Sequence, residues 1–222
     1  MVNTKSILKT LLWSIPLLFF SGLMLRITYP YSSFRYDIGF LLTKQSVLHN
    51  AIWRWSFYIH ISTSLLVLIF GIFQFIPFLL FRWPNIHRLI GKIYVVLVAC
   101  LSAPSGFIMG IYANGGIWAK TSFCIISLLW FIFTLKAYLT IKNKNIDAHI
   151  DFMIRSYALT LTAITLRMYV VVLPHFFILH SREMYALISW LSWIPNLLLA
   201  EFLIRKKIFR PFNYQQSNSA IQ

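Results

Sequence analysis

The stretch DAHIDFMIRSYALTLTAITLRMY, residues 147–169, decides the fold because it is long and apolar yet carries polar side chains at regular intervals. At 3.6 residues per turn, positions 18 apart share one azimuth, so His149 and Arg167 lie on one line along a helix. Four further residues fall on the same line: Met153, Ser156, Thr160 and Ala163. A rise of 1.5 Å per residue separates the two ends by about 27 Å, close to the thickness of a bilayer's hydrocarbon core. The stretch therefore predicts a membrane-spanning helix whose polar side faces neighbouring helices.

The composition of the whole chain extends this prediction to a multi-pass membrane protein. The 222 residues are 59% hydrophobic and only 11% charged, whereas a soluble domain has about 25% charged residues. The net charge of +15 does not indicate nucleic acid as a partner, because the basic residues form short clusters between long apolar runs. Cys100 and Cys124 lie inside apolar segments without the spacing of a metal site.

We therefore expect an all-α, multi-pass transmembrane bundle of about six spans that contacts the lipid bilayer. The spans are predicted at residues 8–25, 55–81, 89–112, 117–141, 152–175 and 185–204, in a single transmembrane domain (1–210) followed by a polar tail (211–222). The first span resembles a signal peptide, but no small-residue cleavage site follows Leu25, so we expect it to be retained. Residues 26–53 form a long connection, and the segment 37–55 has apolar residues at helical spacing, which predicts that it lies along the membrane interface.

The distribution of Lys and Arg predicts the orientation. Thirteen of these 20 residues fall on the side of the N-terminus, the second-to-third and fourth-to-fifth connections and the C-terminus. Six fall on the other side, and Arg167 remains inside the membrane. Because positive charge favours the cytoplasmic side, both termini are predicted to be cytoplasmic, in the inner membrane of a bacterial cell. His87 and His149 are then at the inner boundary, and His60 and His175 are near the outer one.

Ionisable residues inside a membrane are costly and usually mark a ligand or a pathway. Arg167 is predicted to face the polar side and to neutralise an anion, such as a haem propionate or a substrate carboxylate. The alternative is that its side chain extends to the outer interface. Glu201 is expected to pair with Arg205, one helical turn further on.

The histidines are the candidate cofactor ligands. Two imidazoles from facing helices at equal depth suit axial ligation of haem b, so His87 and His149 predict an inner site, and His60 and His175 a second, outer one. His87, His149 and Asp151 could instead hold a zinc ion. A third alternative is that these histidines only bond to lipid headgroups or to backbone at the interface.

Four motifs resemble a known family: NIHRLIGKIY (85–94), SGFIMGIYANGG (105–116), HIDFMIRSYALTLTAITLR (149–167) and WIPNLLLAE (193–201). They are similar to a bacterial family of predicted membrane proteins, domain-of-unknown-function family 2306, over about residues 50–205. The resemblance implies a multi-pass bacterial membrane protein and no specific activity. The matching positions are His60, Gln74, His87, Arg88, Gly91, Tyr94, His149, Met153, Arg155, Ser156, Arg167, Asn196 and Glu201. The family usually has basic residues and Trp after the His149 position, where this chain has Ile150, Asp151 and Phe152.

Three functions remain open from the sequence. The first is a b-type haem protein that transfers electrons in the membrane, with a quinone or another redox protein as partner. The second is a carrier for a small solute or lipid, with Arg167 recognising an anion and Pro104, Pro174 and Pro195 interrupting the spans. The third is an accessory subunit whose polar residues only pack helices. No nucleotide-binding loop, catalytic triad or HExxH motif indicates an enzyme.

Overall fold

The computed structural model describes residues 4–208, with side chains from residue 10 onwards. This part of the chain is helical and contains no strand. Its α-helices are α1 (Thr4–Thr28), α2 (Ala51–Gln74), α3 (Pro77–Arg82), α4 (Pro84–Val96), α5 (Ala103–Ile111), α6 (Gly116–Lys142), α7 (Ile146–Thr160), α8 (Thr162–Phe176), α9 (Ser181–Leu191) and α10 (Ile194–Arg205). The predicted polar tail, 211–222, lies outside the described residues.

Six segments of the described chain are long and apolar enough to cross a membrane, which confirms the predicted all-α bundle. They are Thr10–Ser33, Ala51–Gln74, Pro84–Ile111, Gly116–Lys142, Ile146–Phe176 and Ser181–Arg205. The second span differs from the predicted 55–81, because α2 begins at Ala51 and ends at Gln74. Pro77 then starts the short helix α3, since proline disfavours helical backbone in the residue before it.

Three of the spans are interrupted, and two of these interruptions lie next to prolines. The third span contains a π-helical segment, Leu97–Ser102, just before Pro104, which has no amide hydrogen to complete the regular ladder. The sixth span breaks between α9 and α10, where Pro195 lies in the first turn of α10. Two of the three expected proline breaks are therefore present, whereas Pro174 lies inside α8.

The fifth span breaks at Leu161, between α7 and α8, without a proline. The Asn196 side chain donates to Ala158 O (3.3 Å) and to Thr165 Oγ1 (3.1 Å), and Thr165 Oγ1 donates to Ser192 O (2.5 Å). Side chains of one span thus compete for backbone carbonyls of the other at the point where both are interrupted.

The core lies between α2, α6 and α7, and α6 packs on α5, α7 and α9. Tyr157 shows how closely two spans approach: a Cβ added at Gly71 would lie 2.1 Å from the Tyr157 ring. The Tyr157 hydroxyl donates to Leu68 O at 3.2 Å. This close contact fixes α7 against α2 near the middle of the bundle.

The two ends of the bundle differ. We call the end formed by residues 75–83, 143–145 and 206–208 the tail end, and the opposite end the loop end. Residues 29–50, here called the loop cap, form two 3₁₀ helices, Tyr29–Ser33 and Gly39–Lys44. Tyr31, Leu41 and Leu48 of this connection, which is expected to lie along the membrane interface, pack into a cluster with Trp53 and Phe57. The Trp53 side chain is completely buried.

Candidate functional site

His87 and His149 lie at matching positions on two helices that run in the same direction. α4 and α7 both start at the tail end, because they open the third and fifth of six alternating spans. The Tyr94 hydroxyl lies 2.9 Å from Ser156 Oγ, so these two residues face each other across the gap between the helices. His87 precedes Tyr94, and His149 precedes Ser156, by seven positions. On a helix this separation is about 10.5 Å and nearly two complete turns. The two histidines therefore share one depth and the facing sides of their helices.

The hydrogen bonds of the two imidazoles leave ring nitrogens free. His149 Nδ1 lies 2.8 Å from Ala137 O, and because a carbonyl only accepts, Nδ1 carries the hydrogen and Nε2 has a free lone pair. His87 Nδ1 is buried without a hydrogen-bond partner. The Gln74 side chain donates to His87 O at 3.3 Å. A backbone carbonyl on one nitrogen and a free second nitrogen are typical of a histidine that ligates a metal.

Gly71 and Gly91 lie in the spans near these histidines, and neighbouring side chains fill the space beside both of them. The Tyr157 ring occupies the position beside Gly71, and a Cβ added at Gly91 would lie 3.0 Å from Gln74 Oε1. Both glycines thus serve close packing of side chains. The zinc alternative is not supported, since no three His, Cys, Asp or Glu residues group around an ion position within residues 10–208.

Above the histidine pair, a closed network of hydroxyl groups fills the centre of the bundle. Thr134 Oγ1 lies 2.7 Å from Ser156 Oγ, and Tyr94 OH lies 3.0 Å from Thr160 Oγ1. The Trp130 indole also donates to Thr160 Oγ1, at 3.1 Å. Ser156 and Thr160 belong to the polar line seen in the sequence, but Trp130 and Thr134 on α6 were missed. Their helix is apolar nearly all round, and its sequence does not indicate which side faces α7.

In the loop half of the bundle, His60 lies near Arg167 and not near His175. His60 Nδ1 lies 2.8 Å from Ser102 O, within the π-helical segment. Arg167 donates to Ala163 O on its own helix at 2.7 Å and is within electrostatic range of both His60 and Tyr31. His175 is exposed and bonds only to Val171 O, one turn before it. The predicted outer pair of histidines is therefore not brought together.

The other deep arginine is paired, but not as expected. Arg155 Nε and Nη2 donate to the two carboxylate oxygens of Glu201 at 2.6 and 2.9 Å, which joins α7 to α10. The predicted pair of Glu201 with Arg205 is thus replaced by a bidentate pair between spans. The physical reason is that a carboxylate and a guanidinium at depth neutralise each other, whereas Arg205 lies exposed at the helix end.

A residue missed entirely by the sequence analysis is Lys44 in the loop cap, whose exposed fraction is only 3%. Its ammonium group donates to Tyr112 O (2.5 Å) and Asn114 Oδ1 (2.7 Å). Burial, together with the charge of Lys120, lowers the pKa of Lys44 to about 8. The only sequence signal was the ANGG turn at 113–116, which supplies one of the acceptors.

Comparison with known proteins gives a family. No curated protein and no solved structure matches the chain. The family model described as a predicted membrane protein (DUF2306) matches residues 57–204, two thirds of the sequence, including the paired histidines, Arg155, Arg167 and Glu201. The chain therefore belongs to the DUF2306 family of predicted membrane proteins.

Proposed function

We propose that this protein binds one b-type haem between α4 and α7 and transfers electrons in the membrane. The observation that carries the proposal is the position of His87 and His149, each seven residues before the Tyr94–Ser156 contact on helices that run in the same direction. His149 would ligate through Nε2, because its Nδ1 hydrogen is directed to Ala137 O. When bound, a bis-histidine haem supplies one-electron transfer without an open coordination position.

The same arrangement suggests how the residues of this chain would tune such a group. The bond to Ala137 O fixes the orientation of His149 and makes its free nitrogen more basic. The hydroxyl network of Tyr94, Thr134 and Ser156 limits the space towards the loop end. We do not extend the proposal to His60 and His175, since His175 is exposed.

A membrane-soluble quinone is the electron partner that we propose, in the inner membrane of a bacterial cell. An apolar cavity of about 190 Å³ lies between α1, α7 and α10, with Tyr157 and Asn196 among its lining residues. An apolar cavity with few polar groups is typical of sites for such ligands. The proposed quinone site is thus separate from the histidine pair.

The haem content of the purified protein tests the proposal. Wild-type protein produced with haem supplied should contain about one b-type haem per chain, and His149→Ala or His87→Ala should remove most of it. His175→Ala is the matched control, because this exposed histidine should leave the haem content unchanged. Haem-free wild-type protein, or equal haem content in all three variants, would reject the proposal.

A carrier is the second candidate, and the interrupted helices favour it. Breaks at Leu97–Ser102, at Leu161 and at Ser192 lie inside three different spans. Discontinuous spans often surround a substrate site near the middle of the bilayer in transporters. Uptake of a solute by vesicles containing haem-free protein would support this function against electron transfer.

A further inference from the structure

Arg167 is a deep cation without an anionic partner. Its one hydrogen bond within the described part of the chain goes to Ala163 O, and a guanidinium group has five N–H donors. The salt bridges of Arg35 with Asp37 and of Arg155 with Glu201 do not involve Arg167. An unpaired charge at this depth is expensive unless a ligand or water compensates for it.

We call the half-buried region around Arg167 the crevice. The His60 and Arg167 side chains are both half-buried, and Arg167 is within electrostatic range of His60 and of the buried Tyr31 of the loop cap. The residues of the crevice come from α2, the π-helical segment and α8, since His60 Nδ1 bonds to Ser102 O.

The other polar groups in the crevice are arranged to leave donors and acceptors for a ligand. His60 Nδ1 is occupied by Ser102 O, while its Nε2 has only a long contact of 3.5 Å with Ser64 Oγ. Ser102 Oγ donates to Thr63 Oγ1 at 2.7 Å. A Cβ added at Gly106 would lie 2.9 Å from the His60 ring, so the third span holds this imidazole in place.

We propose that this crevice, formed by Arg167, His60, Ser64 and Tyr31, binds the oxyanion group of a small molecule, a carboxylate or a phosphate. The guanidinium fork matches two oxygens of such a group, and in a poorly hydrated site these charge-assisted bonds are strong. A cation is excluded by the charge of Arg167, and no carboxylate of the described chain contacts the site. The proposal does not depend on haem, because the crevice and the histidine pair lie in opposite halves of the bundle.

Binding of named oxyanions tests the site directly. Acetate and inorganic phosphate, each compared with chloride, should raise the Tm of the detergent-purified full-length protein with the logarithm of ligand concentration, by about 5 °C at concentrations far above the dissociation constant. Arg167→Gln should abolish the rise, whereas Arg26→Gln, which removes an exposed arginine at the end of α1, should not. If the bound oxyanion belongs to a lipid headgroup, native mass spectrometry should instead show a phospholipid bound to the wild-type protein and absent from Arg167→Gln. The absence of both effects in wild type, or their persistence in Arg167→Gln, would overturn the proposal.

A labelling experiment gives a readout that works even if Arg167→Gln is unstable. Ser64→Cys is placed in a background in which Cys100 and Cys124 are replaced by alanine. Each labelling rate is first divided by the rate of the same reagent with a free small thiol, because a thiolate reacts faster with a cationic reagent. The normalised rate of the negatively charged methanethiosulfonate reagent MTSES should be about tenfold higher than that of the positively charged MTSET, because Arg167 attracts the anion. Arg167→Lys should keep the preference, and added acetate or phosphate should slow the labelling. Equal normalised rates for the two reagents, or no reaction with either, would show that Arg167 does not face an anion-accessible crevice.

Discussion

At the scale of single residues, three deep or buried cations differ in how their charge is compensated. Arg155 is neutralised by two hydrogen bonds to Glu201 across two spans. Lys44 is buried in the loop cap, where two oxygen acceptors take its hydrogens. Arg167 has neither a carboxylate nor a set of acceptors, and we therefore assign to it a ligand. The sequence could identify Arg167 as unusual, but not that Arg155 would be paired, because the partner comes from another span.

Lys44 should make stability depend on pH. Burial lowers the pKa of this residue to about 8, below the value of 10.5 for an exposed lysine. Between pH 8 and 10.5 the unfolded state therefore binds more protons than the folded state, and the free energy of unfolding should rise with pH by an amount of the order of 3 kcal/mol. Below pH 8 both states are protonated and this contribution is constant. Thermal unfolding at pH 7.5, 8.5 and 9.5 should show the rise in wild type and in Lys142→Met, an exposed control, and a smaller rise in Lys44→Met. Identical pH profiles for the three proteins would contradict the burial of Lys44.

Glu201→Gln should destabilise the protein by about 1–3 kcal/mol, because Arg155 is left at depth without its carboxylate. The loss should appear as a lower midpoint of unfolding in detergent. Glu183→Gln changes an exposed carboxylate in the first turn of α9 and should have little effect. If both variants lose the same stability, the pair of Arg155 and Glu201 does not join α7 to α10.

At the scale of helices, the sequence predicts the number of spans well, because an apolar run of about 20 residues has few alternatives. It predicts the interruptions less well. Pro104 and Pro195 signal two of them, but the break at Leu161 depends on Asn196 from the following span and has no local signal. The role of Gly71 has no local signal either, since the sequence does not show that Tyr157 occupies the space beside it.

Gly71→Ala should therefore destabilise the bundle. The added Cβ would lie 2.1 Å from the Tyr157 ring, so α2 and α7 must separate or the ring must move. Overpacking of this kind costs about 1–3 kcal/mol, measured as a fall in the unfolding midpoint. Gly22→Ala in α1 is the control, because no atom lies within 4 Å of its added Cβ. A second change, Tyr157→Leu, should recover part of the loss caused by Gly71→Ala. A Gly71→Ala variant as stable as Gly22→Ala would show that the two spans are not in this contact.

At the scale of the whole molecule, charge and hydropathy predict a membrane bundle, but they do not predict the folded loop cap. Its core of Tyr31, Leu41 and Trp53 combines residues from two 3₁₀ helices and the first turn of α2. The apolar spacing of the connection is equally compatible with an interfacial helix, and only tertiary packing distinguishes the two. The histidine pair, in contrast, can be placed largely from the sequence. His87 and His149 each precede a residue of the Tyr94–Ser156 contact by the same number of positions, so this one contact is enough to put the two histidines at the same depth.

The distribution of basic residues leads to a topology prediction. The tail end carries most of the Lys and Arg residues, so we expect it, with both termini, to face the cytoplasm. Reporter fusions to the C-terminus should be active for a cytoplasmic reporter and inactive for a periplasmic one. Fusions inserted at the exposed Tyr36 in the loop cap should give the reverse result. The same activity at both positions would put the C-terminus and the loop cap on one side of the membrane and contradict the count of spans, whereas reversed results at both positions would mean that the two ends have been misassigned.

The electron paramagnetic resonance spectrum of the oxidised, haem-loaded protein tests the central claim most directly, because it reports the pair of ligands on the iron. If His87 and His149 are the axial ligands, wild-type protein should give a low-spin ferric signal of the bis-imidazole type. The small fraction of haem that His87→Ala retains should give a high-spin signal, since one axial position is then open. A high-spin or absent ferric signal in wild type, or a low-spin signal unchanged by His87→Ala, would show that the two histidines do not bind a haem together.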